Sequence, residues 1–184
     1  MSASLLRFAT AADFAAIAAI TNHYIGNTAI HFGYEAVTPG ELQDLWRQHH
    51  DLYPWLVAEV EGNVVGYAKA GVYRTRAAYR WSTETGIYLA PERLGRGHGR
   101  PLYERLLAVL TEQGFHAAIG VITLPNHASV ALHERLGFQP CGVVRQAGFK
   151  FDAWHDIGTW QKLLQAPGTP ARSLRAPAMV VRGA

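Results

Sequence analysis

The sequence predicts an α/β domain built on a mixed sheet, and three observations carry that prediction. Apolar residues switch between the alternating period of strands and the roughly 3.6-residue period of helices. Two β-rich runs, Trp55 to Val60 and Val64 to Ala70, flank the turn Glu61-Gly62-Asn63 and predict a hairpin. After the hairpin come strand, helix, strand, helix and two closing strands, with a glycine-rich turn at the first strand-to-helix junction.

Taken in order, Leu5 to Phe8 is a short strand. Thr10 is placed to cap a helix with Asp13 in its first turn, and Phe14, Ile17 and Ile20 recur at helical spacing to about Asn22. Thr38-Pro39 opens a second helix, with Glu41 close behind and Leu42, Leu45 and Trp46 on one stripe. Beyond the hairpin, the polar stretch Arg74 to Arg80 leads into a strand from Trp81 to Leu89, ended by Pro91. A helix from Arg100 carries Leu102, Leu106, Leu107 and Leu110 on one face and stops at Gly114. Ala117 to Ile122 reads as a buried strand and Asn126 to Leu136 as a short helix ended by Gly137. Gly142 to Phe149 and Ile157 to Leu164 read as the closing strands. Residues 1–165 thus form one domain. The tail 166–184, with Pro167, Pro170 and Pro177 among small and basic residues, is expected to be mobile or loosely docked.

Composition narrows the function. Of 184 residues, 49% are hydrophobic and 17% charged, ordinary for a compact globular chain. The single cysteine, Cys141, excludes an internal disulfide and any multi-cysteine metal site, so no metal is expected. It follows Pro140 among apolar residues and is expected to be buried and inert. The opening residues do not read as a signal peptide, and no run of about 18 apolar residues suggests a membrane span. A cytoplasmic protein with no membrane partner is expected. The net charge of +3 is spread along the chain, with Arg172, Arg175 and Arg182 in the tail. That pattern suits a pocket for a small anion better than a nucleic-acid surface, and no nucleic-acid partner is expected.

The segment Leu94-Gly95-Arg96-Gly97-His98-Gly99-Arg100 points to that anion. Successive backbone N–H groups in such a turn form a concave nest, and the following helix adds its unpaired donors and positive dipole end. Glycines let a diphosphate approach the backbone, and Arg96 and Arg100 can add charge-assisted contacts. A Walker loop would need Lys followed by Ser or Thr where Arg100-Pro101 stands. A dinucleotide fold would place the turn in an early βαβ unit with an acidic residue about twenty positions on, where Ala117 to Gly120 is apolar.

With that turn after the fourth strand, the chain resembles the GNAT superfamily of N-acetyltransferases. The superfamily motif is Gln or Arg, two residues, Gly, one residue, then Gly or Ala. Gly97 and Gly99 fit it, while Leu94 stands at the Gln/Arg position with Arg93 beside it. Further blocks look like the phosphinothricin and methionine sulfoximine/sulfone acetyltransferases: Asn22-His23-Tyr24-Ile25, Tyr53 to Glu59, Leu124-Pro125-Asn126, Leu132-His133-Glu134 and Trp154-His155-Asp156. This likeness spans about Arg7 to Leu164.

The resemblance implies a GNAT fold with a mostly antiparallel sheet, acetyl-CoA as cosubstrate, the α-amino group of a small amino-acid analogue of the phosphinothricin or methionine sulfoximine/sulfone kind as acceptor, and a homodimer that builds part of the acceptor site across its interface. It implies that the strand after Glu84 splays from its neighbour, so that Ile87, Tyr88 and Leu89 pair with the pantetheine arm. Asn126, which is also a natural N-cap, matches the residue that touches that arm. Acetylating an amine requires removal of a proton from an ammonium group whose pKa is near 8 or higher. Glu84 matches the catalytic glutamate. His133, about two helical turns after Asn126, matches the histidine that stands where many relatives place a tyrosine acid. Arg74, Arg76 and Tyr79 match the acceptor-binding segment, with Arg76 the closer fit for a carboxylate or phosphinate, and Phe32 matches a wall in the lid from Thr28. Two alternatives stay open: another acceptor (a polyamine, an aminoglycoside or a protein N-terminus), or a non-catalytic coenzyme A-binding module.

Overall fold

The computed structural model describes residues 4–180; residues 1–3 and 181–184, Arg182 among them, lie outside the described part. A seven-stranded sheet runs in the order β1-β2-β3-β4-β5-β7-β6. Its strands are β1 (Leu5–Phe8), β2 (Trp55–Val60), β3 (Asn63–Val72), β4 (Ser82–Leu89), β5 (Ala117–Leu124), β6 (Gln139–Lys150) and β7 (Ala153–Leu163). All neighbours are antiparallel except β4 and β5, which run parallel. The helices are α1 (Phe14–Asn27), α2 (Pro39–His49), α3 (Gly99–Gln113), α4 (His127–Arg135) and the short α5 (Pro177–Val180). None of them is long and apolar enough to cross a membrane.

Strand alternation feeds two cores. Along β2, Trp55 and Val57 face α1 and α2, while Leu56 and Ala58 face α3. Phe14, Ile17, Ile20 and Tyr67 complete the first core; Leu102, Tyr103, Leu106, Leu110, Phe115 and Phe138 fill the second. Thr38 and Glu41 cap α2 reciprocally: the Thr38 hydroxyl accepts from the Glu41 N–H, and the Glu41 carboxylate accepts from the Thr38 N–H at 2.7 Å. Asp13 accepts from the Thr10 N–H and takes a forked ion pair from Arg7, at 2.7 and 2.8 Å.

Most boundaries fall within two residues of expectation, and three elements, α1, β6 and β7, run three or more residues past it. Helix α1 runs to Asn27 rather than Asn22 because its buried stripe continues through Thr21, Tyr24 and Ile25. The Thr21 hydroxyl stays satisfied there by Ile17 O at 2.7 Å and the Tyr67 hydroxyl at 2.8 Å. Strands β6 and β7 are longer than the sequence suggests, because Phe151 and Asp152 make their two-residue turn with φ of 50° and 55°. Neither is glycine, so the turn carries little sequence signal.

The segment after residue 165, expected to be mobile or loosely docked, lies against the C-terminal end of α3. Trp81 Nε1–H donates to Arg172 O at 2.7 Å, and Arg175 N–H to Gln113 O at 2.9 Å. The fully buried Gln113 returns a bond from Nε2 to Arg175 O at 2.8 Å, and Pro177 and Val180 are buried.

Candidate functional site

The parallel strands β4 and β5 pair only over Ser82–Thr85 and Ala117–Gly120. Beyond Thr85, β4 stays with β3; beyond Gly120, β5 stays with β7. A wedge opens between them, forming a cleft of about 330 Å³ lined by Gly86–Leu89, Val121–Thr123, Asn126, Leu132 and His133. Pairing of β3 with β4 runs unbroken from Gly66–Leu89 to Val72–Thr83, so no bulge in that ladder makes the splay.

A chain of buried polar side chains, Thr85, Tyr103 and His133, sits at the apex. The His133 ring, 3% exposed, sits over Gly120, where a Cβ would lie 2.6 Å from ring atoms Cδ2 and Nε2. Nδ1–H donates to Ser129 O at 2.8 Å, because a carbonyl can only accept. Nε2 is therefore bare and accepts from the Tyr103 hydroxyl at 3.0 Å, and Tyr103 in turn accepts from Thr85 at 2.7 Å. Burial pushes the His133 pKa down, which keeps the ring neutral. Both ring nitrogens are engaged, and in this arrangement the ring has no free proton to give.

The glycine turn forms the mouth of the cleft. Gly95 and Gly97 have φ of 72° and 86°, and a Cβ at either would meet no atom within 4 Å, so the space above them is open. Leu94, Gly95, Gly97 and Gly99 line the cleft, Leu94 with 54% of its surface exposed. His98 is buried as the residue before α3, whereas Arg96 and Arg100 are exposed and Arg100 pairs with Glu104 at 2.8 Å. On β4, the Tyr88 ring leaves the cleft side to stack on Tyr67, and Leu89 O accepts from the Tyr24 hydroxyl at 2.7 Å. Asn126 caps α4 by accepting from the Ser129 N–H at 3.1 Å and also lines the cleft.

Glu84 lies one residue from the last β4–β5 pair, with its side chain on the opposite face of the sheet from Thr85. It is exposed, yet partial desolvation pushes its pKa up while Lys69 pulls it down. Lys69 shares that face two positions along β3 from Gly71, the partner of Glu84, and stands 4.9 Å over the Trp55 ring. His31 joins this side, its ring 6.2 Å from Tyr88 and its pKa lowered by burial and by Lys69 and Lys150. Lys69 and His31 escaped sequence reasoning. Lys69 did leave a signal, as the one charge inside the apolar run Val64 to Ala70; His31 left only its place within the lid from Thr28 to Phe32 that the resemblance implied.

The acceptor residues expected from the sequence do not converge on the cleft. Phe32 is half-buried and packs in a notch at Gly148, where a Cβ would stand 2.4 Å from its ring. Arg74 and Arg76 are exposed, Tyr79 is half-buried, and none of the three lines the cleft. They belong to the connection before β4, which folds on itself as the Arg74 guanidinium covers Tyr73 and Tyr79 at 5.3 and 5.5 Å. Cys141 is exposed rather than buried, because it occupies a bulge where the β6–β7 register shifts between Pro140 and Gly142. Among the described residues, no cluster of three or more His, Cys, Asp or Glu side chains could hold a metal ion.

A strand wedge capped by a glycine turn at a helix N-terminus is the shape of an acyl-donor site, and the chain belongs to the acetyltransferase (GNAT) family, whose model matches residues 17–138. It is 46% identical over 165 residues to a phosphinothricin N-acetyltransferase of Streptomyces viridochromogenes, covering 90% of each chain. It is 36% identical to an L-methionine sulfoximine/L-methionine sulfone acetyltransferase of Salmonella typhimurium, over 90% of this chain and 97% of the relative. The structure of a phosphinothricin acetyltransferase from Sinorhizobium meliloti in complex with AcCoA superimposes with a TM-score of 0.88 at 34% identity, covering 93% of this chain and 94% of that one.

Proposed function

We propose that this N-acetyltransferase moves an acetyl group from acetyl-CoA to the α-amino group of a small amino-acid analogue of the phosphinothricin or methionine sulfoximine kind. The observation that carries the reading is the wedge, with a glycine nest at its mouth and Glu84 one residue from its apex. Open space over Gly95 and Gly97 fits a diphosphate, and the unpaired edge of Gly86–Leu89 fits an extended amide-bearing arm. Acetyl-CoA supplies the thioester-activated acetyl group and a thiol leaving group.

The chain's own residues then act on the acceptor in a ternary complex. Glu84 takes the proton of the ammonium group, and its upward-shifted pKa suits that task better than an ordinary carboxylate's. Backbone N–H groups beyond Gly86 polarise the reacting carbonyl. His133 serves by holding the strands apart with Tyr103 and Thr85. Cys141, at the β6 bulge, takes no part. The loop bearing His31 and Phe32 covers the Glu84 side.

The working unit of this reading is a cytoplasmic homodimer. Val143, Val144, Phe149, Phe151 and Trp154 on β6, β7 and their turn are all exposed, an apolar surface that a second copy would cover. Arg74, Arg76 and Tyr79, held away from their own cleft, would then serve the neighbouring one. Thiol release on mixing the protein with acetyl-CoA and phosphinothricin or methionine sulfoximine is expected. Turnover on polyamines alone would move the acceptor class, and acetyl-CoA binding without turnover on any amine would leave only a binding module.

A further inference from the structure

Lys150 closes β6 with 3% of its surface exposed. Its Nζ donates to three backbone carbonyls, Ile25 O at 2.6 Å, His31 O at 2.7 Å and Thr28 O at 3.0 Å. An ammonium group has three N–H donors, so all are used. No carboxylate pairs with it among the described residues. The carbonyl dipoles at the end of α1, where the helix dipole is negative, replace the counter-ion that a buried cation otherwise needs.

These carbonyls bracket the loop that leaves α1. Neighbouring hairpin residues grip the same loop: Gly148 receives the Phe32 ring, and Phe149 O accepts from the Tyr34 hydroxyl. His155 Nε2–H fixes the Lys150 carbonyl from β7 at 2.9 Å. On its other side the loop reaches the wedge, where Ile30 lines the cleft, Ile30 O accepts from Thr123 at 3.4 Å, and His31 faces Tyr88. One buried cation therefore ties the loop over the Glu84 face to the most exposed hairpin of the sheet.

We propose that Lys150 is a positioning residue for the acceptor: by anchoring Ile25, Thr28 and His31 it holds the 28–34 loop closed over the Glu84 side of the wedge. The ammonium touches neither substrate and acts through His31 and its neighbours. The glycine turn lies outside this anchor and of residues 28–34 only Ile30 lines the cleft, so the donor's grip depends on it far less than the acceptor's. The effect on acceptor kinetics rests on the acetyl-transfer reading above; the effect on the loop does not.

The test is Lys150→Met, with hydrogen exchange of the free protein and steady-state kinetics with acetyl-CoA and phosphinothricin. Exchange of amides 28–34 is expected to quicken by at least about 10-fold with the α3 core unchanged. The acceptor KM is expected to rise by at least about 10-fold, with acetyl-CoA affinity by calorimetry within about two-fold of wild type. Unchanged loop exchange overturns the proposal, as does a loosened loop that leaves the acceptor KM alone, or an equal loss for both substrates. Should Lys150→Met fail to fold, Lys150→Gln, which keeps two N–H donors on a chain one bond shorter, is read by the same criteria. If wild type turns over no amine while the loop still loosens in the variant, the substrate reading fails and the anchor stands.

Discussion

At the scale of single residues, the electrostatics of Glu84 make the sharpest expectation. Although Glu84 is exposed, partial desolvation raises its pKa above the ordinary 4.5, and Lys69 on the adjacent strand opposes that rise. A base works only when ionised, so the acid limb of the kcat/KM profile is expected above the ordinary carboxylate range. In Lys69→Met the opposing positive charge is gone, the carboxylate is less favoured, and the limb moves to higher pH. Lys69→Arg keeps the limb near its place. Glu84→Gln lowers kcat by about 10² to 10⁴-fold and abolishes the limb, while calorimetric binding of acetyl-CoA persists. A limb that moves down in Lys69→Met, or survives in Glu84→Gln, removes Glu84 as the base. Glu84 and His133 were legible from the resemblance, His133 inside the block Leu132-His133-Glu134 and Glu84 by its place on the strand before the glycine turn. Lys69 and His31 were not, because their relevance arises from strand register and loop path, neither of which is local in sequence.

At the scale of elements, the junction of β4 with α3 does two jobs with one chain segment. The strand leaves its partner at Thr85, and the turn then folds back so that glycines and a helix start face the gap. Gly97, like Gly95, is a position in this turn that resists a side chain. Its φ of 86° is strained for any side chain, and a Cβ there would project into the open space that a diphosphate would fill. Gly97→Val is expected to weaken acetyl-CoA binding at least about 10-fold, since strain of about 1–3 kcal/mol adds to the steric block. Thermal stability should fall far less than it would for a core substitution. Equal affinity in calorimetry would separate the turn from the cofactor. This junction was readable because glycine spacing and an apolar helical stripe are both local signals. The β6–β7 hairpin was only half readable: its two-residue turn uses Phe151 and Asp152, and Gln146, at φ 49°, sits where the register shifts between Val144 and Gly148.

At the scale of the whole molecule, α3 separates two regions that should respond independently. Its N-terminus faces the cleft and its C-terminal end carries the tail, about 22 Å away for a 15-residue helix. Gln113 is the hinge of the tail contact: it is fully buried, donates from Nε2 to both Leu52 O and Arg175 O, and leaves Oε1 without a partner. Removing residues 166–184 deletes the Arg175 acceptor, strips the cover from Trp81 and loses the burial of Val180. Leaving aside the exposed Arg175 guanidinium, three hydrogen bonds are lost, Trp81 to Arg172 O, Arg175 N–H to Gln113 O and Gln113 to Arg175 O; at about 0.5–1.5 kcal/mol each, with one buried valine at about 1.5 kcal/mol or more, they total roughly 3–6 kcal/mol. For a chain of this size, at about 2–4 °C per kcal/mol, that corresponds to a fall in Tm of about 6–24 °C. Because the glycine turn lies at the far end of the helix, the truncated protein should bind acetyl-CoA with unchanged affinity below its melting point. A Tm within about 2 °C of the full chain would mean that the tail rests on the domain without stabilising it, and a loss of affinity at low temperature would mean that α3 transmits the tail's docking to the cleft.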